Sequence, residues 1–342
     1  MRNCFFTLFL LLFSIAIFSQ EIKAPEQPSE GPGGQDYLHE EVVQYDYAQN
    51  PDGFWLYEPA APKPEKANVI VFIHGYGAYN PMIYGKWIKH LVRKGNTVIF
   101  PRYQRNLLSP SPKHFAENVV EAIHNALDTL NASGHVKPVI DHFSLVGHSY
   151  GGVISANLCV YYKRYTIPKP KAVLLVSPGT GPFSGGLLKT YEDIPEGTNL
   201  LVMVSDRDHT VGDKIGKLIY STAVNVKNRN LIRQYSDHYG SESLTAGHDE
   251  SYSVDQDFDS GIKNFSSKRA LKIGRLNAID FFGYWKLFDA LNAFTREGKY
   301  REYALGNTPE QRSLGFWSDG KKVQELEITV PGIEVPNVTG SQ

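Results

Sequence analysis

From residue 69 onward, short apolar runs alternate with longer amphipathic stretches. The runs at 69–73, 97–100, 143–146, 172–176 and 200–204 are rich in Val, Ile and Leu. That is the pattern of strands buried on both faces. A weaker sixth run spans 230–235. Between the runs, 115–130 puts Phe115, Val119, Val120, Ile123, Leu127 and Leu130 on one helical face and Glu117, Glu121 and Asp128 elsewhere. Strands alternating with helices predict the α/β class, with a mostly parallel central sheet and helices on both faces. Upstream, 42–47 and 54–58 flank the turn signal Asn50-Pro51-Asp52-Gly53, which predicts a β-hairpin. Residues 278–294 predict a last helix burying Phe282, Trp285, Phe288 and Leu291. Beyond 303, the stretches 314–317 and 323–330 flank a Ser318-Asp319-Gly320 turn. They predict a terminal hairpin in a C-terminal extension, 304–342.

The N-terminus reads differently. Arg2 precedes an almost wholly apolar run, 5–18, and Ser19 offers a small residue for cleavage. A signal peptide over 1–20 is expected, and with it a secreted or periplasmic protein. The run is shorter than the ~20 residues a spanning helix needs, so an N-terminal membrane anchor is the minor alternative. No other segment is long and apolar enough to span, so no stable membrane insertion of the mature chain is expected. Residues 21–36, rich in Pro, Gly, Glu and Gln, read as a disordered linker, leaving one α/β domain over 37–303. With Cys4 in the leader, Cys159 is the remaining thiol, and it is expected to pack as a small hydrophobe. The net charge of −1 argues against nucleic acid or an anionic membrane as the main partner.

The chemistry concentrates at Gly147-His148-Ser149-Tyr150-Gly151, a G-x-S-x-G motif between an apolar run and a small-residue helix start. A serine hydroxyl is a weak nucleophile until a base takes its proton and an acid orients that base. In a strand–turn–helix scaffold the chain order is Ser, acid, His, and of the eleven histidines His209, His238 and His248 follow Ser149. The acid belongs in the loop after 200–204, where Asp206 and Asp208 compete. Asp208 reaches further into the loop and is favoured, while Asp206 suits a turn cap. The base belongs after the next strand. His238 follows 230–235 at once and is favoured; His248 is the rival, and His209 sits in the acid turn. Acyl transfer also needs donors for the oxyanion. The backbone N–H of Tyr150 follows the nucleophile, and His74-Gly75-Tyr76-Gly77 offers that of Tyr76. His74 is expected to brace this loop, and His148 to pack or bond nearby.

On these residues, the His74-Gly75-Tyr76-Gly77 loop, the Gly147–Gly151 elbow, the Asp208 loop and a late histidine, the chain resembles the α/β-hydrolase family over roughly 40–300. It looks most like the secreted esterase, lipase and dienelactone-hydrolase-like branch. The resemblance implies a sheet of about eight strands and an ester-cleaving triad without metal or organic cofactor. Two departures stand out. Residues 178–198 are short and Gly/Pro-rich, so the large lid of many lipases is missing, and 241–275 is longer and more polar than a simple link.

Asp255-x-Asp257-x-Asp259 spaces carboxylates as a calcium loop does, but Ser260 and Ser266 stand where Gly and Glu are needed. A weak calcium site competes there with a solvated loop. Asn-x-Ser/Thr triplets at Asn131, Asn264 and Asn337 decide nothing. The sequence therefore predicts a carboxylesterase for small or medium acyl esters, with Ser149, His238 and Asp208 as triad and Tyr76 and Tyr150 at the oxyanion. Tyr76, Tyr84, Tyr150 and Phe183 are expected around an open pocket. A peptidase or acyltransferase on the same triad, or a non-catalytic binding protein, are the alternatives.

Overall fold

Alternate residues of the strand β3 (Lys66–Ile73) go to opposite sides. Val69, Val71 and Ile73 join one apolar cluster; Ile70 and Phe72 join the other. This two-sided burial organises the whole chain in the computed structural model, which describes residues 21–107, 111–181 and 186–332. The expected signal peptide (1–20), Phe183 and Asn337 lie outside the described residues.

The sheet has nine strands, in the order β1-β2-β4-β3-β5-β6-β7-β8-β9. β1 (Glu41–Asp46) and β2 (Phe54–Ala60) form the expected hairpin, and β2 pairs antiparallel with β4 (Asn96–Pro101). From β4 the strands run parallel through β3, β5 (Lys137–His148), β6 (Ala172–Val176), β7 (Asn199–Ser205) and β8 (Arg229–Gln234). One face is covered by α1 (Gly85–Arg93), through Trp87, Ile88 and Leu91. The other carries α2 (Phe115–Asn131), α3 (Tyr150–Tyr161) and α4 (Lys214–Thr222), through Val119, Ile123, Ile154, Leu158 and Ile219. Each such side chain contributes about 1.5–3 kcal/mol on burial, so the helix stripes and the strand runs hold the layers together. Cys159 is fully buried on α3.

Three expectations are corrected. The 21–36 segment is ordered: Gly33 N–H donates to Asp289 at 2.8 Å, Lys94 donates to the Gly31 carbonyl at 3.1 Å, and Ser241 N–H to the Ile22 carbonyl at 2.9 Å. Polar groups of the domain hold its backbone, and Ile22 and Ala24 pack on the α1-side cluster, too few apolar positions to mark a pattern. The 314–330 stretch does not close into a hairpin. After one bridge between Phe316 and Lys322, the chain continues to β9 (Glu327–Thr329), which adds antiparallel to β8. Leu314, Trp317, Val323 and Leu326 are buried in the α1-side cluster, so 304–332 belongs to the domain. The last helix begins as a π-helix, Ile279–Trp285, before α5 (Lys286–Glu297). Trp285, Phe288 and Leu291 are buried as expected, whereas Phe282 is half-buried.

The chain runs from β3 to β4 on one side and then returns to place β5 on the other. In open α/β sheets such a reversal leaves a crevice at the carboxyl ends of the two diverging strands. β3 runs out into His74-Gly75, and β5 into Ser149.

Candidate active site

β5 ends at His148 and α3 begins at Tyr150, so Ser149 alone makes the turn, at φ 55° and ψ −120°. A side chain at such a φ costs about 1–3 kcal/mol and persists where its surroundings fix it. Here Ser149 N–H donates to the Val176 carbonyl at 2.9 Å, and the Ser149 carbonyl accepts from Gly152 at 2.9 Å and Gly179 at 3.1 Å. The two motif glycines are dictated by contact. A Cβ on Gly147 would lie 2.4 Å from the Gly151 carbonyl oxygen, and one on Gly151 would lie 2.0 Å from that of Ile73.

Ser149 Oγ lies 3.0 Å from His248 Nε2, and His248 Nδ1 lies 2.8 Å from Asp208 Oδ2. The other Asp208 oxygen accepts from the N–H groups of Thr210 and Val211, both at 3.0 Å. Burial pushes the Asp208 carboxyl up. The hydrogen bond and charge of His248, with the two N–H donors, outweigh it and hold the carboxyl below its usual range. An ionised Asp208 accepts a hydrogen bond from Nδ1–H, which leaves Nε2 free to accept from the serine hydroxyl.

The expected pairing of His238 with Ser149 is therefore corrected: His248 occupies that position. After β8 the chain makes a narrow loop, in which Asp237 and Leu244 exchange backbone hydrogen bonds at 2.8 and 2.9 Å. His238 sits exposed just past that pair and bonds to Ser243 across the loop. The returning strand is then drawn under the acid loop, where Arg207 N–H donates to the Ala246 carbonyl at 3.1 Å. Asp206 secures this route. It accepts from Ser236 N–H at 3.1 Å and Ser236 Oγ at 2.9 Å, and Ser236 Oγ in turn accepts from Ala246 N–H at 3.0 Å. Asp206 is thus the cap of the base loop, and Asp208 faces the histidine. His209 is exposed in the turn.

His148 is buried beneath the site. Tyr84 accepts from Gly75 N–H at 3.1 Å and donates to His148 Nδ1 at 2.8 Å; His148 Nε2 donates to the His248 carbonyl at 2.8 Å. Burial, and then the neighbouring His248, lower His148 to about 4, so the ring is neutral, as one donating and one accepting nitrogen require. One chain of bonds thus ties the Gly75 loop, the elbow and the base loop together. His74 braces the first of these. Its Nε2 lies 2.8 Å from the Arg102 carbonyl, its ring stacks on Tyr103 at 4.1 Å, and burial lowers it to about 4.

The Gly75 loop also comes up to the serine: a Cβ on Gly75 would lie 3.2 Å from Ser149 Cβ. Ser149 opens into a cavity of about 450 Å³ whose apolar walls are Tyr76, Leu107, Tyr150, Val211 and Phe265. Tyr76 and Tyr150 thus line it as expected. Tyr84 is fully buried and acts through His148 instead. Phe265 opens the helix Phe265–Ile273, where the polar 241–275 stretch returns to wall the site; the length of that stretch is the sequence signal for this. The described residues of 178–198 form no helix.

The calcium-like spacing is otherwise engaged. Asp255 and Asp257 each lie 3.2 Å from Lys89, and Asp259 accepts from Asn80 at 2.7 Å. Among the described residues, His148, His248 and Asp249 could bring three ligand atoms together. Each is committed: His148 to the His248 carbonyl, His248 to Asp208 and Ser149, and Asp249 to Arg269.

No curated protein matches the chain. A family model described as chlorophyllase matches residues 41–188, which include the Gly75 loop and the elbow and stop short of Asp208 and His248. With its nine-stranded, mostly parallel sheet the chain has the α/β-hydrolase fold, and over residues 41–188 it is similar to an esterase-like family of that superfamily.

Proposed function

We propose that the protein is an exported serine esterase. The observation that carries the reading is the unbroken hydrogen-bonded chain from Ser149 through His248 to Asp208 at the floor of an apolar cavity. In the first half-reaction Ser149 Oγ attacks the ester carbonyl carbon and its proton passes to His248 Nε2. The developing oxyanion faces the N–H groups of Tyr76 and Tyr150. Collapse expels the alcohol, which takes the proton from His248 and leaves acyl-Ser149. Water then attacks this second ester, again giving its proton to His248, and the acid is released. Asp208 stays ionised throughout and stabilises the imidazolium.

The cavity volume suits small or medium acyl groups. The matched family is named for chlorophyll, so chlorophyll belongs in the substrate panel. The apolar 5–18 run supports export; a mature N-terminus near residue 20 in the culture fluid is the expected finding, and a retained leader would count against it. For the chemistry, Ser149→Ala should lose fluorophosphonate labelling and p-nitrophenyl butyrate turnover together. Full turnover in that variant would remove Ser149 from the mechanism.

A further inference from the structure

The Ser149 cavity continues past His248. A second cavity, of about 820 Å³, shares Thr210, His248, Asp249 and Arg269 with it, so the two meet across the Asp249–Arg269 ion pair. Both cavities hold Asp249 and Arg269; the first adds aromatic and aliphatic walls, and the second adds the guanidinium groups of Arg207 and Arg275 beside Leu244, Ile273 and Leu276. Both arginines are exposed, and among the described residues neither side chain has a hydrogen-bond or ion-pair partner. Of the acids around them, Asp249 is neutralised by Arg269. Glu250 accepts from Asn277 at 2.5 Å, and burial raises it to about 7. Glu242 remains as the one exposed acid in the lining, against two uncommitted guanidiniums.

The chemistry of the site orients a substrate between the two cavities. His248 must return its proton to the leaving oxygen, so that oxygen sits against His248 Nε2. Whatever it bears extends along the His248 side, away from the apolar walls that take the acyl chain. Guanidinium groups suit carboxylate and phosphate oxygens, which they can bind in pairs.

We propose that this second cavity is a leaving-group subsite for an anion. The preferred substrates are esters with an apolar acyl group and an alcohol half that carries a carboxylate or phosphate, held by Arg207 and Arg275. This deepens, and rests on, the esterase reading.

The test compares three probes on the mature chain: phenyl acetate, 4-acetoxyphenylacetate with its free carboxylate, and the methyl ester of that carboxylate. The wild type should favour the free carboxylate over its methyl ester, and the preference should shrink as salt rises, because exposed charges are screened. Arg207→Gln and Arg275→Gln should each raise KM for the carboxylate roughly fivefold and leave the methyl ester unchanged, the scale of one solvent-exposed ion pair. 4-Hydroxyphenylacetate should inhibit competitively and lose potency in the same variants. Equal kcat/KM for the two wild-type reactions, or an equal loss on both probes in the variants, overturns the anion subsite. Ser149-dependent turnover of phenyl acetate upholds the esterase reading in that case. No turnover of any probe, with no Ser149 labelling, takes down both.

Discussion

The Ser149 elbow and the His248 loop meet at one hydroxyl, yet they are built in opposite ways. The elbow is contiguous in the chain: within a few residues β5 ends, Ser149 turns at positive φ and α3 begins, and the backbone of Ile73, Val176 and Gly179 packs on or bonds to that turn. The base loop is assembled at a distance. His248 reaches Ser149 only because Asp206 holds Ser236, Arg207 holds Ala246, and Asp237 pairs with Leu244 to turn His238 outward. A feature whose parts are contiguous in sequence has few alternatives, whereas one placed by the path of a long loop can lie ten residues from where strand spacing alone would put it.

This contrast predicts a graded response to mutation. Asp208→Asn should cost the most, about a thousandfold or more in kcat, because the amide no longer selects the Nδ1–H tautomer of His248. Circular dichroism and Tm should stay near wild type; a loss confined to stability would give Asp208 a purely structural role. Asp206→Ala comes next. It leaves every reacting group in place but unties Ser236 from the acid loop, so kcat should fall roughly tenfold to a hundredfold while labelling of Ser149 slows in parallel. Unchanged kcat there would mean that the base loop needs no cap. Tyr84→Phe removes the hydroxyl between Gly75 and His148 and should cost less, roughly tenfold in kcat with KM little altered, since it loosens both loops by one bond.

The last effect falls on stability rather than turnover. The Glu250 carboxyl, two residues beyond His248, is raised to about 7 by burial, from an ordinary value near 4.5. Between those two values the folded protein holds a proton that the unfolded chain has released, so stability falls as pH rises through this window and levels off above it. Glu250→Gln should flatten that slope, with a relative gain at pH 8 on the order of 2–3 kcal/mol. Parallel urea-denaturation curves for the two proteins from pH 4.5 to 8 would show that Glu250 is not the titrating group.

The same contrast explains what could be read from the chain. The parallel strands were legible because burial on both faces leaves continuous apolar runs, and the elbow because its geometry needs glycines at fixed offsets. The 21–36 segment was not, because Asp289, Lys94 and Ser241 hold it through its backbone, and the two apolar side chains it packs on the core, Ile22 and Ala24, are too few to form a pattern. β9 reads as a hairpin arm in the sequence because its true partner, β8, lies far back in the chain. Asp208 was distinguishable from Asp206 by its depth in the loop. His238 was favoured because it stands next to a strand end, and nothing nearby in sequence marks the hydrogen bonds that carry the chain on to His248.

The most direct measurement is kcat/KM for p-nitrophenyl butyrate in His248→Ala and His238→Ala, prepared and assayed side by side. His248→Ala should fall by about a thousandfold or more, as expected for a group acting as one unit with Ser149, and His238→Ala should stay within about twofold of wild type. Near-wild-type turnover in His248→Ala together with a collapse in His238→Ala would contradict the arrangement of Ser149, His248 and Asp208 as the catalytic unit.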